Sequence, residues 1–331
     1  MNIRLFLTSF FLGILATFFA WAFQWTLDSW KEVTFNMPGE VTVLQLLKGA
    51  QAIAPADANE MQEKLKAYLR DQSLALIVSS SGNGHPEIVV YDPHNLVPWF
   101  PGCPSEGAQL AVTDVYLFRG TYSEKLWKSS LGVPFLPQGA VVRGIIAAPR
   151  RVGNLQYARC VGQGLLPEGQ YTFNASDPVQ VQHILSILYQ MGFVTQSNTR
   201  LPLFLYVVQN HLTVITGFFL LAAYGCVVLY WFLYLHSRTR EFGIRSRHGA
   251  LPADLVWENL LNGLPALATG IGMGGLVAGI LTAAIGQIPL SPEEVFAIGV
   301  ATIVTIIIIA GTWLAILYIV IRFRYEANLA G

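Results

Sequence analysis

The chain has 331 residues, of which 53% are hydrophobic and only 12% charged, with a formal net charge of zero. A soluble domain usually carries about twice that charged fraction, so the composition argues against an ordinary soluble protein and for a membrane protein. The balanced charge removes any global electrostatic case for nucleic acid as a partner.

Residues 5–25 are apolar and uncharged, with Arg4 before them and Asp28 and Lys31 after them. About twenty residues rising 1.5 Å each cross the hydrocarbon of a bilayer. No small-x-small cleavage site ends the run, and Trp21, Trp25 and Trp30 suit an interfacial aromatic belt. Residues 1–27 therefore read as a retained signal-anchor helix with a cytoplasmic N-terminus.

Residues 28–202 change to the composition of a water-soluble domain. A helix is expected over 56–70, where Met61, Leu65, Tyr68 and Leu69 recur at three- and four-residue spacing. Strands follow at 74–80 and 87–91, joined by a Ser-Gly-Asn-Gly turn at 81–84. Pro93, Pro98, Pro101 and Pro104 then make 92–104 a stiff loop. Trp99 and Phe100 within it either form an exposed partner contact or pack beneath their own loop. Further strands are expected at 114–119 and 139–148. Arg143, Arg150, Arg151 and Arg159 make a basic stretch, either a contact for anionic headgroups or acidic cargo, or a solvated face. Asp177-Pro178 opens a helix whose buried stripe is Val181, Ile184, Leu185 and Leu188, and Gly192 stops it. Outside the cytoplasm, Cys103 and Cys160 would make a plausible disulfide; two unpaired thiols are the alternative.

Residues 203–235 form an apolar run too long for one perpendicular crossing. With Gln209, Asn210 and His211 near its start, it is expected to supply a stalk and then a span from about Leu212 to Tyr234. Residues 236–262 carry Arg238, Arg240, Arg245 and Arg247, which cannot sit in hydrocarbon at tolerable cost. The segment therefore lies at a membrane surface, and its arginines make that surface cytoplasmic. An amphipathic helix is expected at 251–260, lying on that face, with Asp254 and Glu258 four apart and Leu255 and Trp257 elsewhere.

The third span, 263–285, holds two GxxxG pairs, Gly270/Gly274 and Gly275/Gly279, which let helices pack closely within the chain or with a second copy. Pro265 is expected to kink its entrance. Residues 286–294 form a short outer loop without arginine or lysine, 295–321 a fourth span, and 322–331 a cytoplasmic tail opened by Arg322 and Arg324. Both termini are thus expected inside. The fold class expected is an α+β membrane protein, with four transmembrane helices and a large mixed α/β extracytoplasmic domain inserted between the first two.

Chemistry of its own is not expected. The chain has no phosphate-loop motif for ATP and no Cys/His cluster with zinc spacing. His85 and His94 flank Tyr91 and Asp92, but loop histidines beside prolines read as solvent-facing. The spans lack Asp, Glu, Lys and Arg, which argues against an ion-coupled carrier. A non-catalytic chain with no bound cofactor or metal, driven by a cytoplasmic partner, is the consequence.

The run from Arg240 to Ala250 resembles the loop between the second and third spans of FtsX/MacB-type (type VII) ABC transporter permeases. The order of one span, a large outer domain and three further spans is similar as well. Arg240, Glu241, Gly243, Arg245, Gly249 and Ala250 match the family's loop motif. The resemblance implies a coupling helix near Leu251, Pro252, Asp254, Leu255 and Glu258, on which a cytoplasmic ABC ATPase dimer, itself holding ATP and Mg, would act. It also implies a second permease chain, identical or a paralogue, in a bacterial plasma (inner) membrane. The function expected is that of a permease subunit for efflux or mechanotransmission acting on a peptide, lipopeptide, antibiotic or other amphiphile, with a periplasmic adaptor or cell-wall protein as a further partner. The alternative is an FtsX-like signalling protein that activates a cell-wall hydrolase or sensor without cargo.

Overall fold

A computed structural model describes residues 3–49, 54–80, 87–102, 114–129, 132–133, 136–137, 139–147, 155–161, 166–286 and 292–329. The chain divides into two compact units, one of Asp28–Tyr206 and one of Met1–Leu27 with Val207–Gly331. In chain order the elements are α1 (Ile3–Val33), β1 (Val41–Lys48), α2 (Pro55–Asp71), β2 (Leu76–Ser80), β3 (Glu87–Tyr91), β4 (Asp114–Phe118), α3 (Tyr122–Lys128), β5 (Val141–Ile146), β6 (Tyr157–Cys160), β7 (Gly169–Phe173), α4 (Pro178–Gln190), β8 (Phe193–Leu201), α5 (Leu203–Gln209), α6 (His211–Ser237), α7 (Thr239–Arg247), α8 (Pro252–Gly286) and α9 (Pro292–Leu329).

The first unit is built on an eight-stranded mixed sheet in the order β5-β4-β6-β3-β2-β7-β1-β8. The β3–β6 and β4–β5 pairs are parallel and the others antiparallel. Side chains alternate across a strand, and the two faces here have separate cores. Leu76, Val78, Val89 and Tyr171 face α2 and α4, meeting Leu65, Leu69, Ile184 and Leu188. Ile77, Ile88 and Val90 face the other way, onto Phe35, Val97, Phe100 and Phe118. The expected helices at 56–70 and after Asp177 are α2 and α4. Asp177 caps α4 by accepting a hydrogen bond from the Val179 N–H at 3.0 Å, and Gly192, at φ +82°, lets the chain leave it.

Among the described residues four helices are long and apolar enough to cross a membrane: Ile3–Val33, His211–Ser237, Pro252–Ala284 and Pro292–Phe323. The protein is thus mixed helix and sheet, with four candidate membrane-spanning helices. The long run at 203–235 breaks into α5 and α6 at Asn210, whose side chain accepts from the Thr213 N–H at 3.1 Å.

Two expectations for residues 236–262 change. The basic segment is not a loop: residues 239–247 form α7. Nor is there a separate surface helix at 251–260, because α8 runs unbroken from Pro252 through Pro265 to Gly286. The physical reason is a continuous apolar stripe: Leu255, Val256 and Leu260 are buried in the same core as Ala266, Leu267 and Ile271.

Helices α1 and α8 touch backbone to backbone. A methyl group on Gly270 would meet the Phe6 carbonyl oxygen at 2.6 Å, and one on Gly274 would collide with the Phe10 carbonyl oxygen. Gly13 of α1 returns the contact: a methyl group there would lie 2.5 Å from the Ile271 carbonyl oxygen. Side-chain hydroxyls tie α6 to its neighbours: Thr26 and Thr213 are hydrogen-bonded at 2.6 Å, Tyr224 and Thr312 at 2.5 Å, and the Trp231 indole donates to Thr8 at 3.1 Å. Where no water competes, such bonds and close backbone contact are what hold helices together.

Candidate functional site

The residues singled out between the second and third spans converge on the surface shared by α7 and the start of α8. Phe242, buried among apolar side chains, anchors α7 to the helical core. Gly249 takes φ +91°, a conformation that favours glycine. The chain there closes α7 with hydrogen bonds from Gly249 N–H to the Ser246 oxygen (3.0 Å) and from Ala250 N–H to the Arg245 oxygen (3.2 Å). This turn leads to Leu251 and to Pro252, the first residue of α8. A proline there costs no hydrogen bond, because first-turn N–H groups have no partner within the helix.

The charged residues form a ladder. Arg238 binds Glu241 bidentately, Nε and Nη2 each donating at 2.9 Å, and also reaches Asn259 of α8 at 3.3 Å. Glu241 lies 3.5 Å from Arg245. Arg245 Nη1 then donates to both carboxylate oxygens of Glu258 at 2.9 Å. Hydrogen bonding to Glu258, and then its charge, raise the Arg245 pKa further. The ladder sews α7 to α8 along one side.

The other side of α7 is bare. Arg240, Ile244, Arg247 and His248 are exposed, and their spacing of four, three and one places them on one helical face. Among the described residues neither Arg240 nor Arg247 has an ion pair. Exposed Asp254 sits in the first turn of α8, where a carboxylate complements the helix dipole. Leu255 is buried and Gly243 is covered.

The site residues expected from sequence therefore part into three groups. Arg240 and Asp254 are exposed. Glu241, Arg245 and Glu258 are internal fasteners. Gly243, Gly249, Ala250, Pro252 and Leu255 shape or bury the junction, while Leu251 remains exposed. Sequence reasoning missed Asn259 and the anchoring role of Phe242. The spacing of Arg238, Glu241 and Arg245 by three and four residues was the signal for the ladder.

Of the glycine pairs, Gly270 and Gly274 pack within the chain. Gly275 lies beside Thr17 and Thr302, whereas a Cβ added at Gly279 would meet no atom within 4 Å.

In the sheet unit, Trp99 and Phe100 do not form an exposed contact. Phe100 is buried, with ring centroids 5.6 Å from Tyr116. Trp99 packs on Phe118 at 6.0 Å, and its indole donates to the Phe35 carbonyl at 2.9 Å. The cause is the fold-back of the proline-rich loop, where the Asp92 carboxylate accepts from the N–H groups of Leu96 and Val97 at 2.8 and 2.7 Å.

In the basic stretch, the two arginines among the described residues are paired. Arg143 pairs with Asp114 at 2.9 Å and Arg159 with Glu87 at 2.7 Å; Arg150 and Arg151 lie outside the described residues. Cys160 is disulfide-bonded and Cys226 is free; Cys103 lies outside the described residues, as do His85 and the turn at 81–84. The His94 ring lies 3.0 Å from the Arg70 carbonyl. Among the described residues no cluster of three metal-ligating side chains occurs. No protein-family model matches this chain, and no curated protein matches it.

Proposed function

We propose that this chain is the non-catalytic permease subunit of an ATP-driven efflux or mechanotransmission complex. In this reading a separate cytoplasmic ABC ATPase dimer holds ATP and Mg and presses on α7. Two permease chains stand side by side in a bacterial plasma membrane, with their termini inside and residues 28–202 outside. The moving outer domain acts on a peptide, lipopeptide, antibiotic or other amphiphile.

The observation that carries the reading is the two-sidedness of α7. A helix fastened on one side by Phe242 and the Arg238–Glu241–Arg245–Glu258 ladder, and bare on the other at Arg240 and Arg247, is suited to receive a push and pass it on. Force on the bare face would reach α8 through the Arg245–Glu258 bond. From α8 it would reach α1 through the backbone contacts at Gly270 and Gly274, because tightly packed interiors transmit strain. The docking face is then α7 itself, and the start of α8 is the lever that it drives. The arginine-rich placement of this segment supports a cytoplasmic location.

The test is purification of the tagged chain from its native host in mild detergent, with mass spectrometry of co-purifying proteins and an ATPase assay. An ABC ATPase should be recovered, and the double variant Arg240→Glu/Arg247→Glu should lose it while still inserting in the membrane. Failure to recover an ATPase with the folded wild-type chain would overturn the reading.

A further inference from the structure

Helix α5 reads Leu-Phe-Leu-Tyr-Val-Val-Gln, and none of its residues is buried. Phe204 is 80% exposed and Val208 50%, with Leu203 and Leu205 exposed as well. At 100° per residue those four side chains spread over about 200° of the helix surface. Half-buried Tyr206 and Val207 occupy the remainder, and Gln209 closes the helix. A helix that is apolar around its circumference belongs in a core or in a bilayer, and the chain supplies α5 with no core.

Its place in the chain identifies what covers it. Asn210 alone separates α5 from α6, a candidate membrane span that begins at His211. Asn210 leaves helical geometry at ψ 104° and caps α6, so the helix axis breaks there and α5 takes a direction of its own. The 27 residues of α6 rise about 40 Å, enough by themselves to cross about 30 Å of hydrocarbon. The seven residues of α5 add about 10 Å, which is too short for a second crossing. Gln209, Asn210 and His211 put polar groups at the junction, and no Asp, Glu, Lys or Arg occurs between Arg200 and Arg238 to hold α5 in water. A protein partner would cover one side of such a helix, whereas lipid closes around it, and Tyr206 suits headgroup depth.

We propose that α5 is a membrane-docking helix, submerged at the boundary of headgroups and acyl chains in the leaflet where α6 begins. Its partner is the lipid surface, met by Phe204 and Val208, and its apolar surface continues along the chain into that of α6, where Phe218, Phe219 and Leu221 are exposed. The segment after β8 then rides in lipid and is not a stalk standing clear of the bilayer. The proposal goes beyond the permease reading and does not need the ATPase.

The experiment uses the full chain reconstituted in phosphatidylcholine vesicles, with a bimane fluorophore on Phe204→Cys in a Cys226→Ser background, Cys226 being free and Cys160 disulfide-bonded. The lipid carries bromine on its acyl chains either near the glycerol or near the chain end, and bromine quenches only a fluorophore close to it. The shallow bromine should quench the label about twice as strongly as the deep one, because an interfacial helix sits about 5–10 Å into the boundary. Val208→Cys, one turn along the helix, should give the same result and keeps the test open if one variant misfolds. A label on Glu63→Cys, at an exposed position of α2, gives the unquenched baseline, and gel filtration checks the fold of each variant. Quenching at α5 no greater than that baseline would overturn the proposal. So would stronger quenching by the deep bromine, which would make α5 part of a span, or a disulfide dimer of unlabelled Phe204→Cys without lipid quenching, which would put a second copy on α5.

Discussion

Arg245 of α7 grips Glu258 of α8 across thirteen residues of chain, one guanidinium nitrogen lying 2.9 Å from each carboxylate oxygen. Between them lies the Gly249 turn, and the bond fixes the angle at which α7 leaves α8. Both side chains are about half exposed, so the pair's value lies in geometry more than in stability.

Reversal of one charge should free α7 without disturbing insertion. In Arg245→Glu, trypsin should cleave at Arg240 and Arg247 severalfold faster than in the wild type, and, on the proposed permease reading, ATPase-coupled function should be lost. The exchange Arg245→Glu/Glu258→Arg should recover both. Unaltered cleavage in the single variant would show that the ladder does not hold α7.

Glycine substitutions in α8 should split by position. Gly274→Val places a methyl group against the Phe10 carbonyl, and overpacking of this kind costs about 1–3 kcal/mol or more. It should lower the thermal stability of the detergent-solubilised chain. An added Cβ at Gly279 meets no atom within 4 Å, so Gly279→Val should leave that stability unchanged. Loss of a dimer on gel filtration in Gly279→Val alone would assign this glycine to the contact with a second copy.

In the sheet unit, Glu87 is 8% exposed and is held bidentately by Arg159, with the Tyr157 hydroxyl donating at 3.0 Å. Burial opposes the Arg159 charge, but hydrogen bonds to Glu87 and its charge outweigh this and raise the pKa. Glu87→Gln leaves that charge uncompensated, which costs about 3–5 kcal/mol. Chemical unfolding of the full chain followed by tryptophan fluorescence should register the loss.

Tyr157 should add a pH dependence. Burial, the Glu87 charge and the hydrogen bond to Glu87 raise its pKa above the ordinary phenol value. The folded state therefore keeps a proton that the unfolded state releases near pH 10. Stability from this group is complete below about pH 10 and falls above it by about 1.4 kcal/mol per pH unit. Tyr171, raised chiefly by burial, contributes in the same direction. Tyr157→Phe should therefore reduce the alkaline slope in melts above pH 10 without removing it.

Phe100→Ala should destabilise the sheet unit by about 3–5 kcal/mol, the cost of emptying a core aromatic site. Trp99→Phe should cost only about 1 kcal/mol, through the lost hydrogen bond to Phe35. Thermal unfolding of the full chain separates the two, and wild-type stability in Phe100→Ala would mean that the loop does not form part of the core.

Much of the fold was legible because its signals are local. Helices α2 and α4 announced themselves by apolar spacing and by the Asp177 cap, and β2 to β5 by short branched runs. Strand β8 was not legible: Phe193–Leu201 is polar and exposed over most of its length, so no alternation marks it. It exists because β1 supplies a full-length partner. Strand β6 is four residues long, too short for any periodicity. Strand β7 opens at Gly169, where a side chain would collide with the Ser79 carbonyl oxygen, a requirement visible only once β2 lies beside it.

At the candidate site, the basic character of 236–250 was plain in the residue types, but α7 was hidden because Phe242 alone among its charged neighbours is buried as an anchor. The sequence by itself determined the four long apolar helices and the charged segment between the second and third, since the free energy of moving a stretch out of water depends on that stretch's own composition. Only the tertiary structure decided which arginines are fastened and which stand free, and which glycines touch a neighbouring helix. Those outcomes depend on partners far along the chain, Glu258 for Arg245 and Phe10 for Gly274, and no local pattern encodes that distance.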